Sequence, residues 1–352
     1  SIYGSPYPDI SPSVEEFARH GMVVDNYFSH TAATYRGLRG QLCSIFPFHG
    51  GVGGWFEPDF EPPTTRLLGL PTLLDQRGYD TVLFGANTAA KARMDVQAAA
   101  VGFSRSMLRD RILGEILDGE QPIGPHVSDH QMMRALWTSI ETGRIEQPFF
   151  AFIYNVGTHT NLDSKSDGVD YADGSNNVLN TTHTFDHAFG GFWRRFATSP
   201  LATTTIVILT ADHPHFPTPA FIEVAGPDYQ KIFFDRIPLV IYHPATDLPR
   251  RFDPGVTTSL DFAPSVAHLM ELPNQRNHFL GRSIFEHARY HERKIRLGQY
   301  GQTLCVIRPD GRMTTSSMRA EHRPSIAGLT RFIEYSQHIE LSDRLWDGGD
   351  HR

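Results

Sequence analysis

Cysteine is nearly absent from this sequence: 352 residues hold only Cys43 and Cys305. Far apart in the chain, they fit neither a CxxC redox pair nor a four-ligand zinc site, which leaves a disulfide or two buried thiols. Long apolar runs are missing as well. None approaches the roughly 20 residues needed to span a bilayer, and the opening SIYGSPYPDISP lacks the form of a signal peptide. Nor is there any surplus of basic charge. The 32 Lys and Arg against 39 Asp and Glu give a formal charge of −7 spread along the chain, so no basic stripe exists to neutralise a nucleic acid backbone, and nucleic acid is not expected as a partner. Repeats and low-complexity tracts are absent too. What remains is ordinary globular material, 40% hydrophobic and 20% charged, enough for one large core or a core with a small appendage.

Strand-like apolar runs alternate with amphipathic helical ones, the pattern of a mostly parallel sheet covered by helices on both faces. The strands expected are Asp80 to Gly85, Phe149 to Asn155, Thr205 to Thr210 and Pro238 to Tyr242. Helices are expected over Pro12 to His20, Thr65 to Arg77, Ser128 to Thr142, Asp186 to Phe196 and Leu260 to Leu272, with Ser11 and Ser128 placed as N-caps. The polar stretch Thr160 to Thr184 is expected to be a long loop beside the site. After Gly281 the pattern shifts to short alternating segments, and Pro309, Asp310 and Gly311 mark a hairpin turn. The expected organisation is therefore an α/β domain over residues 1–285 and a small antiparallel α+β subdomain over 286–352. The turn-rich opening, with no strand before it, points to a segment upstream of residue 1.

Three segments carry chemistry. In TIVILTADHPHF, Thr205 to Phe216, a buried strand runs into Asp212 and His213 and delivers both to the carboxyl edge of the sheet, where open α/β folds place their sites. A carboxylate and an imidazole make half of a zinc or manganese site; alone, the dipeptide equally fits a strand-end aspartate capping a turn beside a surface histidine. In HTAATYRGLRGQLCSIFP, from His30, Thr34 stands at the start of a helix, where backbone N–H groups and the positive dipole end favour anions. Its hydroxyl is a nucleophile only when activated by a base or a metal, and otherwise it is simply the N-cap. In PFFAFIYNVGTHTN, a second strand runs into Thr158, His159 and Asn161; His159 there is suited to bind a phosphoryl oxygen or protonate a leaving group, while a lone histidine after a strand is more often structural.

Taken together and in order, these segments resemble the sulfatase-like branch of the alkaline phosphatase superfamily. IYGSPYPDISPSVEEFARHGMVVDNYFSHT is similar to the segment that follows the first strand in that family, ATYRGLRGQLCSIFP to its nucleophile helix, TADH to its metal-binding pair, and TSLDFAPSVAHLMEL with FLGRSIF to its closing helix and Gly-Arg-Ser element. The resemblance covers residues 1 to about 285 and is nearest in type to the phosphoglycerol transferases, including lipoteichoic acid synthases. It implies Thr34 as nucleophile and metal contact, Asp212 and His213 as metal ligands, and His159, with Arg36 and His215, as phosphoryl-binding groups.

Sulfatases instead carry a formylglycine made within Cys/Ser-x-Pro-x-Arg; Arg36 stands where that motif has proline, and Cys43 is followed by Ser-Ile-Phe, so neither position bears it. The resemblance further implies one divalent ion, manganese or zinc with magnesium as an alternative, a glycerophospholipid donor, a glycan or polymer acceptor, and an extracytoplasmic location with membrane attachment through a segment outside this chain. It also implies an acidic metal ligand at the end of a strand ahead of residue 1, a position that no residue here fills. A phosphodiesterase, phosphatase or sulfatase-type hydrolase of the same fold, or a non-catalytic ligand-binding relative, stands as the alternative.

Overall fold

The computed structural model describes residues 2–47, 67–88, 94–159, 167–227, 229, 234–272, 279–289, 296–318 and 324–341. Its strands are β1 (Met22–Val24), β2 (Tyr27–Phe28), β3 (Asp80–Gly85), β4 (Arg105–Met107), β5 (Phe149–Tyr154), β6 (Val207–Thr210), β7 (Leu239–Tyr242), β8 (Arg251–Phe252), β9 (Thr257–Thr258), β10 (Arg296–Tyr300), β11 (Thr303–Ile307) and β12 (Met313–Ser317). The helices are α1 (Pro12–His20), α2 (Thr34–Cys43), α3 (Leu70–Asp75), α4 (Met94–Val101), α5 (Arg109–Arg111), α6 (Asp129–Glu141), α7 (Asn177–Ala197), α8 (Pro219–Ala225), α9 (Phe262–Leu269) and α10 (Pro324–Leu341).

The expected α/β architecture is present, with its central strands in two sheets. One is all parallel, in the order β4-β3-β5. The other, β6-β7-β1-β8, is mixed: β7 runs antiparallel to both β6 and β1, while β1 and β8 are parallel. After β6 the chain passes through α8 and returns beside β6 in the opposite direction as β7. Side-chain alternation along β5 separates two helical layers. Phe150, Phe152 and Tyr154 pack with Leu38 and Leu42 of α2, Leu74 of α3 and Phe262 of α9, whereas Phe149, Ala151 and Ile153 pack with Met132 and Leu136 of α6 and with Phe192 of α7.

Caps explain several boundaries. Ser128 takes the N–H of Gln131 while the Gln131 side chain takes the N–H of Ser128, a reciprocal box that starts α6 where expected. Ser11 makes no side-chain cap to α1. The carboxylate of Asp186, from the middle of α7, accepts from the N–H groups of Ser13 (3.0 Å) and Val14 (2.8 Å) instead. Helix α7 itself begins well before the expected Asp186, because Asn176 caps the N–H groups of Val178 and Leu179. The hydroxyls of Thr181 and Thr182, residues expected in a loop, turn back onto main-chain oxygens of Asn177 and Val178. Of that expected loop, 160–166, Asn161 included, lie outside the described residues and 167–176 form the connection that remains. Helix α3 is shorter than its expected span and starts at Leu70, with Pro71 in its first turn.

The expected turn at Pro309 to Gly311 joins β11 to β12, and β10-β11-β12 form an antiparallel meander. It packs on the main body through two apolar clusters, Leu304 and Met318 with Phe46 and Leu260, and Cys305 and Ile307 with Phe28 and Phe234. Both cysteines are free and buried, Cys43 in the main core and Cys305 in this interface. No helix among the described residues is long and apolar enough to cross a membrane.

Candidate active site

Residues Thr34, Gly37 and Gln41 are spaced three and four apart and so share one face of α2. That face is docked on the carboxyl end of β6. A Cβ on Gly37 would fall 2.5 Å from the main-chain oxygen of Asp212, so only glycine permits this approach. One turn further on, Gln41 Nε2 lies 3.5 Å from both Thr210 Oγ1 and the Ala211 oxygen. Thr34, one turn back at the N-terminus of the helix, lies on the same face and shares the lining of one cavity with Asp212. Ala33 presents it from a φ of 70°, a backbone strain of about 1–3 kcal/mol for a residue with a Cβ.

His213 Nδ1 lies 2.7 Å from the Pro214 oxygen and donates to it, which puts the imidazole lone pair on Nε2. Nε2 is 3.5 Å from Asp212 Oδ2, so carboxylate and imidazole present two donors of the kind that share a divalent cation. Tyr154, the last residue of β5, closes the rim: its hydroxyl is 3.4 Å from Thr34 Oγ1, longer than a tight hydroxyl bond. Burial first, and then the nearby Asp212 charge, push its phenol up to about 12, so it remains a neutral donor beside the threonine.

The three remaining candidate residues separate. His159 and His213 flank the ring of Phe216, at 6.1 and 5.4 Å between ring centres. His215 stacks on Phe221 at 4.6 Å, and its Nδ1 lies 2.8 Å from the Phe216 oxygen. Burial holds its pKa below the usual imidazole value. Thr34, Tyr154, His159, Asp212, His213 and His215 all line one cavity of about 1450 Å³. Arg36 does not line it. It is 1% exposed, with its guanidinium 4.7 Å from the Tyr35 ring centre and 5.9 Å from that of Tyr300 in β10.

For a metal, the donor set fits in part. Asp212 and His213 are suitable ligands and the Thr34 hydroxyl lies on the same rim, but no group of three or more His, Cys, Asp or Glu side chains arranged to hold an ion is found among the described residues.

The model of the sulfatase family matches residues 1–272. The chain belongs to the sulfatase family. Sequence comparison with curated proteins finds no match; solved structures supply the relatives. A protein of the alkaline phosphatase superfamily from Vibrio parahaemolyticus superposes with a TM-score of 0.73 at 17% identity, over 98% of this chain and 84% of that one. The lipoteichoic acid synthase LtaP from Listeria monocytogenes gives 0.69 at 17% identity, over 94% and 86%. The phosphonate monoester hydrolase SpPMH from Silicibacter pomeroyi gives 0.51 at 12% identity, over 96% and 91%. At these identities the likeness is one of fold. Sulfatase-family enzymes are hydrolases and phosphotransferases that typically use a divalent metal.

Two parts of the site escaped sequence reasoning. Tyr154 was available from parity: in a strand read as Phe149 to Asn155, the even positions face the helix that carries Thr34. Gly37 carried no signal of its own, since its need for close approach comes from β6, far away in sequence.

Proposed function

We propose that this sulfatase-family chain is a metal-dependent phosphotransferase that moves phosphoglycerol from a glycerophospholipid to a glycan or polymer hydroxyl through an intermediate on Thr34. The observation that supports the reading is that Gly37, on the Thr34 face of α2, docks on Asp212, that Tyr154 bonds Thr34 at 3.4 Å, and that Thr34, Asp212 and His213 line one cavity. The Thr34 oxygen attacks phosphorus, the bond from phosphorus to the diacylglycerol oxygen breaks, and that oxygen leaves with a proton. His159, exposed and on the cavity lining, gives that proton or binds a phosphoryl oxygen in this reading. In the second displacement the acceptor hydroxyl attacks the same phosphorus and Thr34 regains its proton. A divalent ion, manganese or zinc with magnesium as the alternative, supplies charge neutralisation and a lowered hydroxyl pKa when held by Thr34, Asp212 and His213. The N-terminal N–H groups of α2 favour the phosphoryl oxygens.

The test uses the full native polypeptide with phosphatidylglycerol and manganese. Diacylglycerol release and a phosphoglycerol adduct on the Thr34 peptide are expected, both abolished in Thr34→Ala. Without an acceptor, slow appearance of glycerophosphate reports water taking the intermediate. If glycerophosphate remains the sole product in the presence of glycan acceptors, the protein is a hydrolase, the reading to which the phosphonate monoester hydrolase fold relative also lends support. Turnover that survives Thr34→Ala removes the covalent mechanism altogether.

A further inference from the structure

The amino end of α6 is capped without its first acidic residue. Ser128 and Gln131 exchange hydrogen bonds there as a complete box, yet the next residue, Asp129, turns its carboxylate into the protein, where it is buried. An aspartate in a first turn ordinarily faces water and gains from the helix dipole. A carboxylate withdrawn from water without a cation beside it costs stability instead, and the charge that acts on Asp129 is the like charge of Asp167.

The partners of this carboxylate all belong to the turn that follows β5. Asn155 Nδ2 donates to Oδ1 at 3.0 Å. The Gly157 main chain also hydrogen-bonds the carboxylate, and it passes so close that a Cβ would lie 2.1 Å from Oδ2, an approach that only glycine permits. Between the two, Val156 is buried in the apolar cluster of Val127 and Met132, and its main-chain oxygen accepts from the N–H of His159 at 2.9 Å. Three consecutive residues are thus fixed from the α6 side, and the turn they form closes on His159. Asn155, Val156, Thr158 and His159 line the same cavity as Thr34 and Asp212. The end of β5 therefore ties the site to both helical layers, through Tyr154 to Thr34 and through Asn155 to Asp129.

A carboxylate suits this place because both of its oxygens accept, whereas an asparagine has one acceptor oxygen for the two donors. We infer that Asp129 is a positioning residue for His159: it holds the Asn155–Gly157 turn in the one arrangement that presents the imidazole to the cavity, at a cost in stability. The inference rests on the role proposed above for His159.

The test uses the full native polypeptide with phosphatidylglycerol and manganese. Asp129→Asn is expected to unfold cooperatively in urea, as the wild type does, and to lose about 10-fold in kcat; Asp129→Ala, which removes both acceptors, is expected to lose about 100-fold. Asn155→Ala releases the turn from the other side and is expected to match Asp129→Asn. In the His159→Gln background, Asp129→Asn is expected to cost nothing further. An unchanged kcat in folded Asp129→Asn overturns the inference, and so does a full 10-fold additional loss in the double variant, because Asp129 then acts on something other than His159. A second measurement needs no turnover. The ring Cε1–H resonance of His159, identified by its absence from His159→Gln, is expected to move in both Asp129→Asn and Asn155→Ala while that of His20, exposed at the end of α1, stays. A His159 ring that does not move in either variant overturns the proposal even where activity falls. If the wild type turns over no phosphatidylglycerol, the phosphotransfer reading fails, while the ring resonance still decides whether Asp129 places His159.

Discussion

A buried carboxylate below the site has a measurable consequence. Asp129, in the first turn of α6, is 2% exposed, accepts from Asn155 Nδ2 at 3.0 Å and lies against Gly157, two residues before His159. Burial is the main cause that raises its pKa from 3.8 to about 6; hydrogen bonds from Asn155 and the Gly157 main chain oppose the rise, and the Asp167 charge adds to it. The folded state therefore holds a proton that the unfolded state releases near pH 4. Between about pH 4 and 6 the native form binds more protons than the unfolded form, so this group's contribution falls as pH rises, and the full cost is present above about 6. That shift corresponds to about 3 kcal/mol. Asn at this position keeps an acceptor and does not titrate. Stability measured by denaturant unfolding from pH 4 to 8 is expected to show Asp129→Asn gaining on the wild type up to about pH 6 and then running level with a constant offset. A difference independent of pH across that range refutes the assignment. The comparison cancels His30, whose fully buried ring is held neutral down to about 3 and changes stability in the opposite sense in the same window.

At the scale of elements, α1 is held by another helix. Its first turn has no cap of its own; the Asp186 carboxylate takes the N–H groups of Ser13 and Val14 from across the interface with α7. Asp186→Ala leaves one buried and one part-buried donor unmet and is expected to cost about 2 kcal/mol, while Asp186→Asn, which keeps one acceptor oxygen, is expected to cost about half as much. Urea midpoints at unchanged slope measure both, and equal losses in the two variants contradict the capping role. This cap also shows what a sequence withholds. Strands β3, β5, β6 and β7, helix α1 and the Ser128 box were legible because period, apolar run and cap residue are local signals. The start of α7 was not, because Thr181, Thr182 and Thr184 look like loop residues until their hydroxyls are seen turned back on the helix or its neighbouring loop. The Asp212–His213 pair could be read from the strand that delivers it. Arg36, expected among the phosphoryl-binding groups, lies outside the cavity lining: helical phase turns it away from Thr34, and its guanidinium lies near the rings of Tyr35 and Tyr300, the latter in a segment that sequence alone assigns to a separate subdomain. The mixed direction of the second sheet likewise depends on which strands become neighbours, which periodicity does not encode.

For the whole molecule, the question is whether the C-terminal meander behaves as an appendage or as part of one cooperative unit. Its attachment is extensive. The N–H of Gln299 donates to the His30 oxygen at 2.8 Å, and Gly298 passes so close to Phe234 that a Cβ there would lie 2.6 Å from its ring. Leu304, Cys305 and Ile307 complete apolar clusters whose other members are Phe28, Phe46, Phe234 and Leu260 of the main body. His30 in turn packs on Gly40 of α2, where a Cβ would meet its ring at 1.9 Å, and its Nδ1 lies 2.6 Å from the Ser259 hydroxyl. Loosening the meander therefore uncovers the underside of the helix that carries Thr34. Separate unfolding leaves those clusters half exposed, which at about 25 cal/mol per Å² of apolar surface is a large penalty for either part. The two thiols report on each part: Cys43 sits in the main core and Cys305, its thiol pushed up to about 12 by burial, at the interface. Pulsed thiol labelling across a urea series is expected to give one shared midpoint for the two cysteines. A midpoint for Cys305 clearly below that of Cys43 would show the meander releasing first, and would make residues 286–352 a unit that folds on a core already complete without them.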